Sequence, residues 1–220
     1  MIRNRPNAPG EALSRLVRSS VRALAGVRGF LLKRPPGFLV SAGFLAVGAA
    51  LYLPASALNR FLAERFSPPP VLSVLPEEAL KLGLALGAAA LARRLRNPGL
   101  GLAVVPGATG FAAAENLAYM AAFPDAGVFL RLGWALPLHV NAAALFALAL
   151  ASPRPAAAAA GAFAVSAAVH AAFNAAAVTH PSPPVLLGGI VFNLALCAAL
   201  AFLTRRRFAW GGILYGKSRA

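Results

Sequence analysis

The chain has 220 residues, of which 59% are hydrophobic and only 12% charged, and its mean hydropathy is +0.70. Soluble domains carry about 25% charged residues, so the composition excludes an ordinary soluble domain, and the single cysteine, Cys197, excludes a disulfide scaffold and a Cys-rich metal site. A net charge of +15 invites a nucleic-acid reading, but a polyanion binder leaves the long apolar segments unexplained, so no nucleic-acid partner is expected.

Residues 1–36 are basic. Arg15, Arg18 and Arg22 recur at helical spacing, with Leu16, Val17, Val21 and Leu24 between them. This pattern predicts an amphipathic helix over 11–33 lying on the anionic cytoplasmic leaflet of a bilayer. A cleaved signal peptide does not fit, because the charged stretch is too long and too polar ahead of the first apolar core at Gly37.

Six apolar segments follow, at about 37–58, 77–92, 100–122, 127–151, 155–178 and 184–203, each near the roughly 20 residues that a membrane helix needs. Proline and glycine punctuate the joints between them. The second segment is short, about 24 Å by helical rise, and is expected to start nearer Val71 or below the membrane surface. The fold class is therefore all-α: a polytopic bundle of about six transmembrane helices over 37–203, followed by a basic cytoplasmic tail over 204–220.

Orientation follows from the basic residues. With the N-terminus inside, 17 of the 21 Lys and Arg fall on the cytoplasmic side, and only Arg60 and Arg65 fall in an outer loop. Lys81 and Arg131 lie in or at the ends of helices. That asymmetry obeys the positive-inside rule, so the high isoelectric point reports topology and both termini are expected in the cytoplasm.

Of six acidic residues, Glu77, Glu78 and Glu115 fall in or at the mouth of apolar segments, and His139 and His170 fall in two others. A charge at a helix centre costs about 2.5–3.5 kcal/mol on insertion scales, whereas a leucine returns only about 0.3–0.6. Residues placed at such cost are functional candidates. Counted along alternating segments, all of them sit near the middle or in the outer half of the bilayer, so a site opening to the extracytoplasmic face is expected.

Local spacing adds detail. Glu77 and Lys81 are four apart and share a helix face; Lys81 is expected either to pair with a carboxylate or to snorkel to the interface. His170 and Asn174, also four apart, can point at one shared oxygen. Asn141 and Asn193 are expected to hydrogen-bond between helices, and Gly107 and Gly110 to permit close helix approach. Pro106 is expected to kink its helix, Arg131 to snorkel and His180 to lie solvated in an outer loop.

In order and placement, Glu77-Glu78-x-x-Lys81, Phe111-x-x-x-Glu115-Asn116, His139 and His170-x-x-x-Asn174 resemble the PrsW family of membrane proteases, within the CAAX-protease and bacteriocin-processing superfamily. The resemblance spans about 77–178. It implies an intramembrane peptidase in a bacterial-type plasma membrane, cutting a single-pass, anti-sigma-factor-like substrate on its extracytoplasmic side. CAAX-type relatives place a histidine where this chain has Glu115, so their glutamate–histidine pairing does not transfer unchanged.

The expected mechanism needs no covalent intermediate and no cofactor. Glu77 or Glu78 takes a proton from water, His170 and Asn174 stabilise the oxyanion, and Glu115 and His139 orient the base or protonate the leaving amine. A zinc-dependent version would draw ligands from Glu78, Glu115, His139 and His170. Neither Ser166 nor Cys197 is expected to act as a nucleophile. A proton- or ion-coupled transporter would use the same buried groups, although no internal repeat accompanies them.

Overall fold

The structure is a computed structural model that describes residues 37–66, 70–122, 131–178 and 183–216. The amphipathic helix expected over 11–33, His180 and the side chain of Arg131 lie outside what it describes.

Every element among the described residues is helical. We number six helices in chain order: α1 Phe38–Phe66, α2 Val74–Leu95, α3 Val104–Ala122, α4 Leu136–Leu150, α5 Pro155–Val178 and α6 Pro183–Gly216. Short 3-10 turns at Pro70–Ser73 and Pro98–Ala103 lead into α2 and α3, and a π-helical turn at Arg131–Ala135 leads into α4.

The α2–α3 junction shows how local sequence sets these boundaries. Arg96 adopts a left-handed conformation with φ 51°, and Asn97 N–H closes back on Ala92 O at 2.9 Å while Arg96 N–H reaches Arg93 O at 3.2 Å. That is the double bond of a Schellman stop. The Asn97 side chain then accepts from Gly99 N–H at 3.1 Å, and Pro98 supplies the first position of the next turn without needing a donor. Pro106 stands at the third residue of α3, where a missing N–H costs nothing.

Length and apolarity suit a membrane crossing in four helical stretches: Phe38–Phe66, Gly133–Leu150, Pro155–Ala176 and Leu187–Thr204. Helices α2 and α3 fall short of that measure. The first carries Glu77, Glu78, Lys81, Arg93 and Arg94, and the second is diluted by Gly, Thr, Glu and Asn. Large apolar side chains such as Phe38, Leu53, Leu117, Leu187 and Phe192 stand exposed on the bundle's outside, an apolar surface of the kind that lipid covers.

Helix α4 is the axis. It packs on α2, α3, α5 and α6 and buries Leu138, His139, Asn141 to Ala144, Phe146, Ala147 and Ala149. Small side chains let the neighbours close in: Ala85 and Ala88 of α2, Ala108 of α3 and Ala162 of α5 form one core with Ala142, Ala143 and Ala147 around Phe146. Asn141 Nδ2 donates to Asn193 O on α6 at 3.2 Å, the interhelical bond expected from the sequence.

Helices α1 and α3 meet backbone to backbone. A Cβ added at Gly48 would run into the Gly107 carbonyl, and one at Gly110 into the Leu45 carbonyl. This is the close approach that small residues permit between packed helices. It fixes the height of α1 against the rest of the bundle.

Candidate active site in the helix bundle

The alanine core fills one half of the bundle and the ionisable residues fill the other. Glu77, Glu78 and Lys81 lie in the first two turns of α2, His139 in the first turn of α4, and Glu115 and His170 about two turns before the ends of α3 and α5. They occupy the end where α1, α3 and α5 finish and α2, α4 and α6 begin. By a helical rise of 1.5 Å per residue they sit about 6–12 Å below that end.

There they form a continuous polar chain. Lys81 Nζ is ion-paired and hydrogen-bonded to Glu78 Oε1 and lies 2.9 Å from His139 Nδ1. His139 Nε2 is 2.8 Å from Glu115 Oε2. On the other side, His170 Nδ1 is 2.8 Å from the same Glu78 Oε1, and His170 Nε2 faces Glu77 Oε2 at 3.8 Å. Asn59 Nδ2 of α1 ends the chain by donating to Glu77 Oε1 at 3.0 Å.

Hydrogen-bonding inventory fixes the proton positions along much of this path. An ammonium has no lone pair, so Nδ1 of His139 is the acceptor from Lys81 and Nε2 carries the proton towards Glu115. At His170, a carboxylate at Glu78 can only accept. Nδ1 therefore carries a proton there, and Nε2 faces the side where Glu77 stands. Three carboxyl groups surround one ammonium and two imidazoles, so the cluster approaches neutrality only by holding extra protons. A set of groups sharing protons in this way can perform acid–base chemistry.

The two adjacent glutamates differ in setting. Glu78 is 1% exposed and its Oε1 serves both Lys81 and His170, whereas Glu77 is 13% exposed and its Oε2 has no hydrogen bond among the described residues. Glu115 is the most accessible carboxyl of the cluster, at 20%. Aromatic rings wall the interior: Phe111 lies 5.7 Å from the His139 ring and 5.7 Å from Lys81 Nζ, and Tyr52 of α1 meets Phe111 edge-on at 5.8 Å. The His139 and His170 rings are perpendicular at 5.2 Å.

Of the six candidates read from sequence, Glu77, Glu78, Glu115, His139 and His170 are thus brought together. Asn174 is not joined to them: it is half-buried one turn beyond His170, with no hydrogen bond to the cluster among the described residues. Lys81 is fully buried, so snorkelling is overturned, and its contact is with Glu78 three residues away, not Glu77 four away. Cys197 Sγ lies 3.8 Å from Pro137 O, a packing contact between α6 and α4.

Asn59 is the site residue that sequence reasoning missed. It fell just beyond the predicted end of the first apolar segment at residue 58, whereas α1 continues to Phe66. A signal was present: Gly48, Ala55 and Asn59 recur seven and four apart on one face, and the first two are buried. Among the described residues no three His, Cys, Asp or Glu side chains are arranged to hold a metal ion.

These features define an all-helical protein with membrane-length helices around a buried acid–base cluster. Comparison with protein-family models, with curated proteins and with solved structures finds no match.

Proposed function

We propose that the chain is an intramembrane peptidase of the PrsW type, which hydrolyses a peptide bond of a single-pass membrane protein near the extracytoplasmic face. The observation that carries this reading is the meeting of Glu77, Glu78, Glu115, His139 and His170, contributed by four helices, around Lys81. In this reading all six helices cross a bacterial-type plasma membrane with both termini cytoplasmic, which turns the end holding the cluster outwards.

The geometry suits Glu77 as the base. Its Oε2 and the Nε2 of His170 are 3.8 Å apart, a separation at which one water can hydrogen-bond to both. Glu77 takes the proton as that water attacks the scissile carbonyl, and returns it to the leaving nitrogen as the carbon–nitrogen bond breaks. One water is consumed and the carboxylate is restored.

Glu78 orients His170, and Lys81 supplies fixed positive charge beside the reacting carbons, the preorganised electrostatics on which such steps depend. Asn174, one turn along α5 from His170, would stabilise the oxyanion once substrate is seated. Support for a metal-free reaction comes from Lys81, whose ammonium engages Glu78 Oε1 and His139 Nδ1. Positive charge is thereby already supplied next to two of the residues that a zinc-dependent version would use.

Co-reconstitution of the protein with candidate single-pass membrane proteins in liposomes tests the reading. The wild type should release a soluble fragment, and Glu77→Gln should release none while expressing and inserting normally. Equal cleavage by Glu77→Gln removes Glu77 as the base; unchanged cleavage by both Glu77→Gln and Glu78→Gln, or no cleavage by the wild type, removes the peptidase reading.

A further inference from the structure

Helix α1 lies wholly outside the stretch that resembles the protease family, yet it reaches the site through one side chain. Asn59 Nδ2 donates to Glu77 Oε1 at 3.0 Å across 18 positions of sequence. This bond occupies one oxygen of the carboxylate and leaves the other, Oε2, facing His170 Nε2 at 3.8 Å. Glu77 has no ammonium or imidazole within hydrogen-bonding distance to hold it, unlike Glu78 and Glu115.

Free rotation about the last torsion of a glutamate is broad and roughly two-fold. Without a second anchor, the carboxylate plane would sample orientations in which Oε2 points away from His170. The anchor itself is stiffly mounted. Asn59 stands eleven residues, about three turns, beyond Gly48, where the backbones of α1 and α3 touch. Tyr52 of α1 lies against Phe111, which in turn packs on His139.

We propose that Asn59 is a positioning residue for hydrolysis: its amide fixes the rotation of the Glu77 carboxylate so that Oε2 stays aimed at the water shared with His170. The inference rests on the peptidase reading. It adds to that reading a role for α1, a helix that could otherwise be regarded as a passive wall. Asn59 acts through Glu77 and need not touch substrate.

The test uses a single-pass protein that the wild type cuts in liposomes, and follows kcat and KM separately. Asn59→Ala should lower kcat about 10- to 100-fold, in the range that small misplacements of a reacting group produce, with KM within about two-fold of wild type. Asn59→Asp keeps the shape and removes the donor, so it should lose at least as much, and it guards against a packing defect in the alanine variant.

In a Glu77→Asp background, where the shortened carboxylate no longer reaches the amide, Asn59→Ala should add less than about a two-fold loss. Wild-type turnover by Asn59→Asp, a loss confined to KM, or losses that multiply in the double variant each overturn the positioning role. Cleavage that survives Glu77→Gln is a different outcome. It removes Glu77 as the base and the role of Asn59 with it, whereas a wild type that cuts nothing removes the peptidase reading itself.

Discussion

Lys81 Nζ lies 2.9 Å from His139 Nδ1, from a residue 58 positions further along the chain, and both side chains are 1% exposed. A fully buried ammonium is among the most expensive groups a helix bundle can hold. Here it is compensated by one carboxylate and one imidazole lone pair.

Removing either member of the buried pair should therefore cost more than removing both. Lys81→Met leaves Glu78 without its cation and should destabilise the bundle by about 3–5 kcal/mol, the usual penalty for an uncompensated buried charge. Adding Glu78→Gln to that variant should recover part of the loss. Unfolding of the purified single and double variants in detergent gives the coupling. Additive losses would mean that the two charges do not compensate one another.

On the opposite arm, His139 hands its Nε2 proton towards Glu115 at 2.8 Å. Glu115→Gln keeps an acceptor and the shape but loses the charge. Under the proposed peptidase reading it should lower turnover about 10- to 100-fold by loosening the His139 end of the cluster, as small misplacements near a reacting centre do, with little change in stability. A full loss of folding on this substitution would assign Glu115 a structural role.

Strong chelators should leave turnover unchanged if Lys81 supplies the positive charge of the site. A chelated protein that stops cutting and recovers on addition of zinc would establish the metal-dependent version, with Lys81 displaced from Glu78 and His139.

Bulk at the α1–α3 contact should be felt at once. Gly48→Val would drive side-chain atoms into the Gly107 carbonyl and should destabilise by about 1–3 kcal/mol, as overpacking does. Gly83→Val, at a glycine with open space around it, is the control. Equal effects at both positions would deny the close approach a special role.

Reporter fusions check the orientation. Fusions in 67–69 and 179–182 should report the extracytoplasmic side, and fusions in 152–154 the cytoplasm. A cytoplasmic signal from 179–182 would invert the placement of the site.

The helical class, the spread of the cluster over four segments and the Asn141–Asn193 bond were legible in the sequence, because an ionisable or amide group in an apolar run is costly enough to stand out. The partners within the cluster were not. Helical spacing offered Lys81 either glutamate, and only the packing of α4 and α5 against α2 decides for Glu78. Asn59 escaped because a hydropathy boundary is not a helix boundary. The last turns of α1, with Asn59, Arg60, Glu64 and Arg65, are polar and still helical. Part of the weak apolarity of α2 and α3 comes from the cluster itself, since Glu77, Glu78, Lys81 and Glu115 are among the residues that lower it.

The long sequence separations inside the cluster also bear on how the protein is made. Glu78 leaves the ribosome 92 residues ahead of His170, and Lys81 leaves it 58 residues ahead of His139. During that interval α2 carries its charges with no partner from α4 or α5, so under the proposed six-span arrangement it would settle fully into the bilayer only when the later helices arrive. A nascent chain halted after α3 should accordingly leave α2 open to aqueous labelling reagents, and release into the closed bundle should abolish that labelling.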